Sequence, residues 1–265
     1  MHLLNILQRT IEGLPIRGKV RLAEAILRHV GSREVECHPL PGITVSLRTN
    51  QRIERWMWAG AYERELVQLM KRILKSGMTV LDVGANIGYF SALASGLVGN
   101  SGQVHAFEPM PQNLSRLRQN LSAFGWAHPY PYAVGNATGT AMLYFNESEA
   151  GWASLFNSND LKRRANIDVI RLDDWVRDHA VNRIDFIKMD IEGGEFHALQ
   201  GAQEALSRFR PVIVAELNAI CLARDHRKPE DVLVLLRGLG YDCSQFKDGV
   251  LATPQIPPAP QPDSR

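Results

Sequence analysis

The 265-residue chain reads as an α/β fold, a mostly parallel Rossmann-like sheet with helices on both faces and a terminal antiparallel hairpin. Three observations predict it. From Thr79 onward, short apolar runs alternate with helical stretches whose apolar residues recur every three to four positions. The first run, Val80-Leu81-Asp82-Val83, ends in an acid and a glycine turn, the pattern of a strand feeding a ligand-binding loop. Near the end, residues 241–246 and a return around Val250 read as paired strands.

Residues 1–42 read as a helical accessory segment, with Leu22, Ala23, Ile26, Leu27 and Val30 forming a stripe that packs on the core. The main domain spans 43–251. Its strands are placed at 79–83, 103–107, 129–134, 184–189, 212–217 and 241–246. Pro111 suits a first helical turn, followed by Leu114, Leu117, Leu121 and Phe124 on one face. Phe196, Leu199, Leu206 and Phe209 mark a helix before Pro211, and Pro229 opens another whose Val232, Leu235, Leu236 and Leu239 face inward before Gly240. Between Thr140 and Leu172 the alternation breaks into short strands at 142–145 and 169–171 around Gly151-Trp152-Ala153-Ser154, an insertion placed to contact substrate. The tail 252–265, with Pro254, Pro257, Pro258, Pro260 and Pro262, is expected to be extended and disordered.

At 45% hydrophobic the chain can bury a full α/β core, and a formal net charge of +2 gives no case for a nucleic-acid partner. The densest basic spot, Lys162-Arg163-Arg164, reads as a solvated loop. Cys37, Cys221 and Cys243 form no C-x-x-C pair, so neither a disulfide framework nor a zinc site is indicated, and a reducing cytoplasm fits. The N-terminus is a poor secretory signal, and no apolar run is long enough to span a bilayer.

Chemistry-bearing residues are sought at the carboxyl ends of the strands, where open parallel sheets bind ligands. Gly84 and Gly88 stand in a G-x-x-x-G pattern behind Asp82, which departs from the G-x-G-x-x-G dinucleotide fingerprint. An acid at Asp82 repels a pyrophosphate but accepts hydrogen bonds from a cationic amino group such as that of S-adenosylmethionine. Glu108 ends the second strand, where a carboxylate accepts hydrogen bonds from ribose hydroxyls. Ala133, at the end of the third, offers an apolar wall and backbone groups to an adenine ring. In the fourth, strand alternation puts Lys188, Asp190 and Glu192 on one side. Two such close carboxylates raise one pKa, and either then serves as a general base. The structural alternative is that Asp190 or Glu192 caps the following helix. Glu216 is a third strand-end acid, and three converging carboxylates would suit Mg²⁺, although no metal is assigned. His197 is a further base candidate and His105 a structural residue.

Taken together, LDVGANIGYFS, the FEP of Phe107-Glu108-Pro109, the Leu-x-x-Asn of Leu117 to Asn120, Leu172-Asp173-Asp174, IKMDIEGGE and PVIVAEL resemble the FkbM family of S-adenosylmethionine-dependent methyltransferases. Tyr62-Glu63 agrees with that pattern too. The resemblance covers residues 60–218; Met189 and Ile191 hold apolar positions, and Gly194 stands where alanine is frequent. It implies a class I methyltransferase sheet and O-methylation of a hydroxyl on a small-molecule or glycan acceptor: a sugar, glycan, glycolipid or polyketide-like natural product. Asp82, Gly84, Ala85, Asn86, Gly88 and Glu108 would bind the cofactor, Tyr62 and Glu63 would help close the site, and Asp190 would lie beside the transferred methyl, with Glu192 as the second choice of base. Two other readings compete: an NAD(P)-binding oxidoreductase, and a methyltransferase-like interaction module without activity.

Overall fold

The computed structural model describes residues 16–29, 31–145, 153–156 and 162–255. The fold is α/β, a mostly parallel sheet with a C-terminal antiparallel hairpin. The chain divides into two compact units, Met1–Pro131 with Glu147–Gly151 and Tyr132–Asn146 with Trp152–Arg265.

In the first unit the order is α1 (Ile16–His29), β1 (Glu34–Leu40), β2 (Ile43–Arg48), α2 (Arg52–Trp58), α3 (Arg64–Ile73), β3 (Thr79–Val83), α4 (Tyr89–Val98), β4 (Gln103–Phe107), α5 (Pro111–Leu121) and β5 (Ala127–Tyr130). Strands β3, β4 and β5 run parallel, with Thr79 opposite Gln103 and Val104 opposite Ala127. Every residue of β3 is buried, as expected of a parallel strand covered on both faces. On α5, Leu114, Leu117 and Leu121 are buried as their spacing predicts, while Phe124 lies beyond the helix. The inward stripe of α1 is Lys19, Ala23 and Leu27, whereas Leu22 is exposed; Val30 lies outside the described residues.

The predicted boundary at residue 43 falls in the turn of an antiparallel β1–β2 hairpin, in which Cys37 pairs with Val45. The described part of the N-terminal region is therefore helix plus hairpin. Two buried contacts tie it to the strands and helices that follow. The Glu54 carboxylate of α2, in a residue only 6% exposed, takes Arg116 of α5 in a two-pronged ion pair at 2.6 and 2.7 Å. Asn120 accepts from the Ser46 amide at 2.8 Å.

The second unit holds β6 (Tyr132–Val134), β7 (Gly139–Phe145), β8 (Ala153–Ser154), β9 (Arg163–Ile170), α6 (Leu172–Asp178), β10 (Phe186–Met189), α7 (Glu195–Gln200), α8 (Gln203–Phe209), β11 (Val212–Glu216), α9 (Ala219–Ala223), α10 (Pro229–Gly238), β12 (Tyr241–Phe246) and β13 (Gly249–Pro254). Strands β10 and β11 are parallel, β13 is antiparallel to β11, and β12 closes the hairpin. A separate four-stranded sheet has the order β6-β9-β7-β8.

Four sequence expectations are corrected here. The single strand at 129–134 is two, split at Pro131, whose missing N–H cannot continue a ladder. Lys162-Arg163-Arg164 does not lie in a loop throughout: Arg163 and Arg164 open β9, opposite Phe145 and Tyr144. The helix at 196–209 breaks into α7 and α8 at Gly201, where the Gly135 backbone carbonyl occupies the space of a Cβ. Asp173 stabilises the restart, accepting the Ala205 amide at 2.9 Å and that of Glu204 at 3.3 Å in the first turn of α8. Finally, β13 carries ordered chain through Pro254, so the tail starts later than placed; 256–265 lie outside the described residues. Among the described residues no helix is long and apolar enough to cross a membrane.

Candidate functional site

Between β3 and α4 the chain makes a loop that only a glycine-rich sequence adopts cheaply. Gly84 has φ +79°, Asn86 φ +50° and Gly88 φ +88°, in the left-handed region that costs a Cβ-bearing residue about 1–2 kcal/mol and that asparagine tolerates better than most. Its amides are spent on the neighbouring strand: those of Gly84 and Ala85 donate to the Phe107 carbonyl at 3.1 and 3.0 Å. The Asn86 amide donates to Glu108 Oε2 at 2.8 Å. The other carboxylate oxygen of Glu108 accepts from the Met110 amide at 3.0 Å and the Asn113 side chain at 3.4 Å. Glu108 thus fastens the loop to the start of α5, the geometry of a charge-assisted hydrogen bond.

The loop residues divide by exposure. Gly84 and Asn86 are half-exposed and form the rim, whereas Asp82, Ala85, Gly88 and Glu108 are buried. Asp82 is only 1% exposed and accepts the Ser91 hydroxyl of α4 at 2.5 Å. Through that contact it braces the loop against α4. Gly88 is needed for another reason as well: a Cβ there would stand 2.6 Å from Leu117 Cδ1. Three residues further along α5, Asn120 donates to the Ile87 carbonyl at 2.8 Å. The Leu-x-x-Asn pattern is therefore a clamp on the glycine loop. Tyr62 lies half-exposed with its ring 5.9 Å from Tyr89 and 5.8 Å from Phe90, at the loop's exit. Glu63 follows in a left-handed conformation, φ 43°, and starts α3.

In the second unit the acidic turn after β10 holds Asp190, Glu192 and Glu195. Strand geometry ends at Met189, so the alternation that groups Lys188 with Asp190 does not extend to Glu192. Lys188 Nζ lies 3.6 Å from Asp190 Oδ2. Glu192 instead sits at φ 52° and accepts the Cys221 thiol at 3.0 Å, while the Ser154 hydroxyl donates to its backbone carbonyl at 2.8 Å. Burial pushes the Glu192 carboxyl up, with Asp190 a lesser contributor, so desolvation outweighs the like-charge repulsion expected from sequence. Burial and Glu192 together raise the Cys221 thiol to about 12, which keeps it a donor. Neither Asp190 nor Glu192 caps α7, whose start has no side-chain cap; Glu195, its first residue, instead braces the preceding turn, its carboxylate accepting from the Ile191 amide at 3.0 Å and the Gly193 amide at 3.1 Å. The contacts of Ser154 and Cys221 with Glu192 have no local signal in the sequence.

The remaining candidates separate. Ala133 lies in β6 opposite Val169, in the four-stranded sheet and not on the strand beside β4. His197 pairs through Nε2 with Asp225 at 2.7 Å, and His105 stacks on His128. Among the described residues no three His, Cys, Asp or Glu side chains converge to hold a metal. Trp152 lies outside the described residues.

The methyltransferase FkbM domain model matches residues 82–243, more than half of the chain. This chain belongs to the FkbM methyltransferase family. The hexuronic acid methyltransferase AglP of Haloferax volcanii is 28% identical over 59% of this chain and 63% of its own length. The 31-O-demethyl-FK506 methyltransferase FkbM of Streptomyces tacrolimicus is 28% identical over 69% of this chain and 80% of its own. The 2-O-methyltransferase NoeI of Sinorhizobium fredii is 24% identical over 56% and 65% respectively. The chain thus spans slightly less than two thirds of AglP and of NoeI.

For this FkbM-family chain the sheet is mostly parallel with a C-terminal antiparallel hairpin, and the cofactor is S-adenosyl-L-methionine. The family assignment sets aside the dinucleotide reading. The loop fits a compact nucleoside ligand: its rim residues Gly84 and Asn86 are accessible, its backbone is held open by left-handed turns, and the carboxylate at the neighbouring strand end fixes it.

Proposed function

We propose that this chain is an O-methyltransferase, with Asp82, Gly84, Ala85, Asn86, Gly88 and Glu108 building the cofactor loop, Tyr62 and Glu63 closing it, and a hydroxyl of a small-molecule or glycan acceptor receiving the methyl. The observation that carries the reading is the glycine loop fastened to Glu108 at 2.8 Å in a chain of this family. AglP is named for a hexuronic acid, the Streptomyces enzyme for the 31-oxygen of FK506 and NoeI for a 2-oxygen. A hydroxyl on a sugar, glycan, glycolipid or polyketide-like product is the acceptor these names support.

S-adenosylmethionine supplies an activated methyl on a sulfonium. The chain's own task is the proton, because an alcohol is a weak nucleophile until its proton leaves. Asp190 is the proposed base: its side chain is accessible, and Lys188 at 3.6 Å positions it. Glu192 is the second candidate, held back by its commitment to Cys221.

The test is methyl transfer from labelled S-adenosylmethionine to a panel of glycans and hydroxylated macrolides. Asp190→Asn is expected to lower kcat by about 100-fold or more while leaving S-adenosylhomocysteine affinity within about twofold. A variant with wild-type kcat would remove Asp190 from the mechanism. The inactive-module reading predicts no transfer to any acceptor.

A further inference from the structure

A cleft of about 740 Å³ lies in the first unit between the β1–β2 turn, α1 and α3. Its wall includes Tyr62 and Tyr89, the residues at the exit of the glycine loop. Three cations line it, Lys19, Arg64 and Lys71, and no carboxylate is among the described lining residues. This is unusual for a chain whose charges nearly balance, with 30 basic and 28 acidic side chains.

The placement follows from the helix period. On α3, Arg64, Val67, Gln68 and Lys71 are three, four and seven residues apart, so they share one face, and all four line the cleft. The buried Leu66, Leu69 and Met70 occupy the other side. From α1, Lys19 joins the same wall although it is only 5% exposed. Opposite, the hairpin turn contributes His38 and Thr44, whose side chains are in contact at 3.3 Å. The half-exposed Tyr62, packed on the buried Tyr89, gives the cleft an aromatic wall, and the cations give it a sign.

We propose that this cleft receives the acceptor and that the acceptor carries an anionic group, a carboxylate or a phosphate, held by Arg64 and Lys71. The proposal deepens the methyltransferase reading and rests on it. A guanidinium grips a carboxylate or phosphate through two parallel hydrogen bonds, and Lys71 adds a point charge one helical repeat away. Such a wall selects by charge: a neutral sugar gives Arg64 and Lys71 no counter-charge, whereas an anionic one neutralises them.

Saturation-transfer NMR on the full chain, saturated with S-adenosylhomocysteine, tests this with glucuronate, glucose 6-phosphate and glucose as probes. At least one charged sugar is expected to bind about tenfold or more tightly than glucose, a difference of about 1.4 kcal/mol. In Arg64→Gln/Lys71→Gln that preference falls to within about twofold of glucose, with S-adenosylhomocysteine affinity retained as proof of folding. Binding of glucuronate alone assigns a carboxylate acceptor, and of glucose 6-phosphate alone a phosphate. Equal binding of charged and neutral sugars, an undiminished preference in the double variant, or no binding of any probe overturns the proposal while the cofactor site stands. Failure of the wild type to bind S-adenosylhomocysteine overturns the methyltransferase reading and this proposal with it.

Discussion

Substituting Gly88 by alanine separates two physical roles of the glycine loop. The residue sits at φ +88°, and an added Cβ would meet Leu117 Cδ1 at 2.6 Å. An alanine in the left-handed region costs about 1–2 kcal/mol. Displacing Leu117 costs a further ~1–3 kcal/mol, because that side chain is fully buried and has little room to turn. Gly88→Ala is therefore expected to destabilise by roughly 2–5 kcal/mol, lowering the melting temperature by roughly 5–15 °C for a chain of this size. Leu117→Ala alone empties a buried site, at about 2–5 kcal/mol. In the double variant the new methyl enters the vacated space, so the two losses fall short of additive by about 1–3 kcal/mol. Urea unfolding of the four proteins measures the cycle. Strict additivity, or a Gly88→Ala protein within about 0.5 kcal/mol of wild type, would refute the packing argument and leave the glycine to the ligand alone.

Two further perturbations probe the rest of the framework. Burial raises the Glu195 carboxyl to about 7 from the 4.5 of an unperturbed group; its contribution to stability is complete below pH 4.5 and is lost as pH rises through about 7, by roughly 3 kcal/mol. Glu195→Gln should flatten the urea-unfolding profile across that window and stabilise the protein at pH 8; a profile unchanged in slope would show the carboxyl is not the titrating group. Arg116→Met strands the buried Glu54 charge and should cost about 3 kcal/mol, whereas Glu54→Leu/Arg116→Met recovers most of it. Equal losses in the single and double variants by thermal denaturation would mean that the ion pair itself, and not the stranded charge, carries the effect.

What was legible in the sequence follows from how local each determinant is. Residues 79–83, 103–107 and 241–246 are strands with the expected bounds because each is a short β-rich run closed by turn residues. The β1–β2 hairpin carries only a short signal: Val35 and Cys37, then Ile43, Val45 and Leu47, alternate inward about a turn at Pro41-Gly42, where Gly42 has φ +80°. The short alternation is outweighed by the helical stripe of α1 ahead of it. At the site, spacing gives the positions of Asp82 and Glu108 but not their contacts with Ser91, Asn86 and Met110, which depend on how the loop packs on its neighbours. The Glu192–Cys221 contact joins residues 29 apart, and only the folded chain creates the desolvation that raises the carboxyl.

The central claim is that the Glu108-fastened glycine loop is a methyl-donor site, and calorimetric titration with S-adenosylmethionine and S-adenosylhomocysteine tests it most directly. Wild type is expected to bind both at micromolar affinity, and Glu108→Ala to lose about 10- to 100-fold, the worth of hydrogen bonds to a charged group. No heat of binding from folded wild type, or an unchanged affinity in Glu108→Ala, would contradict the account.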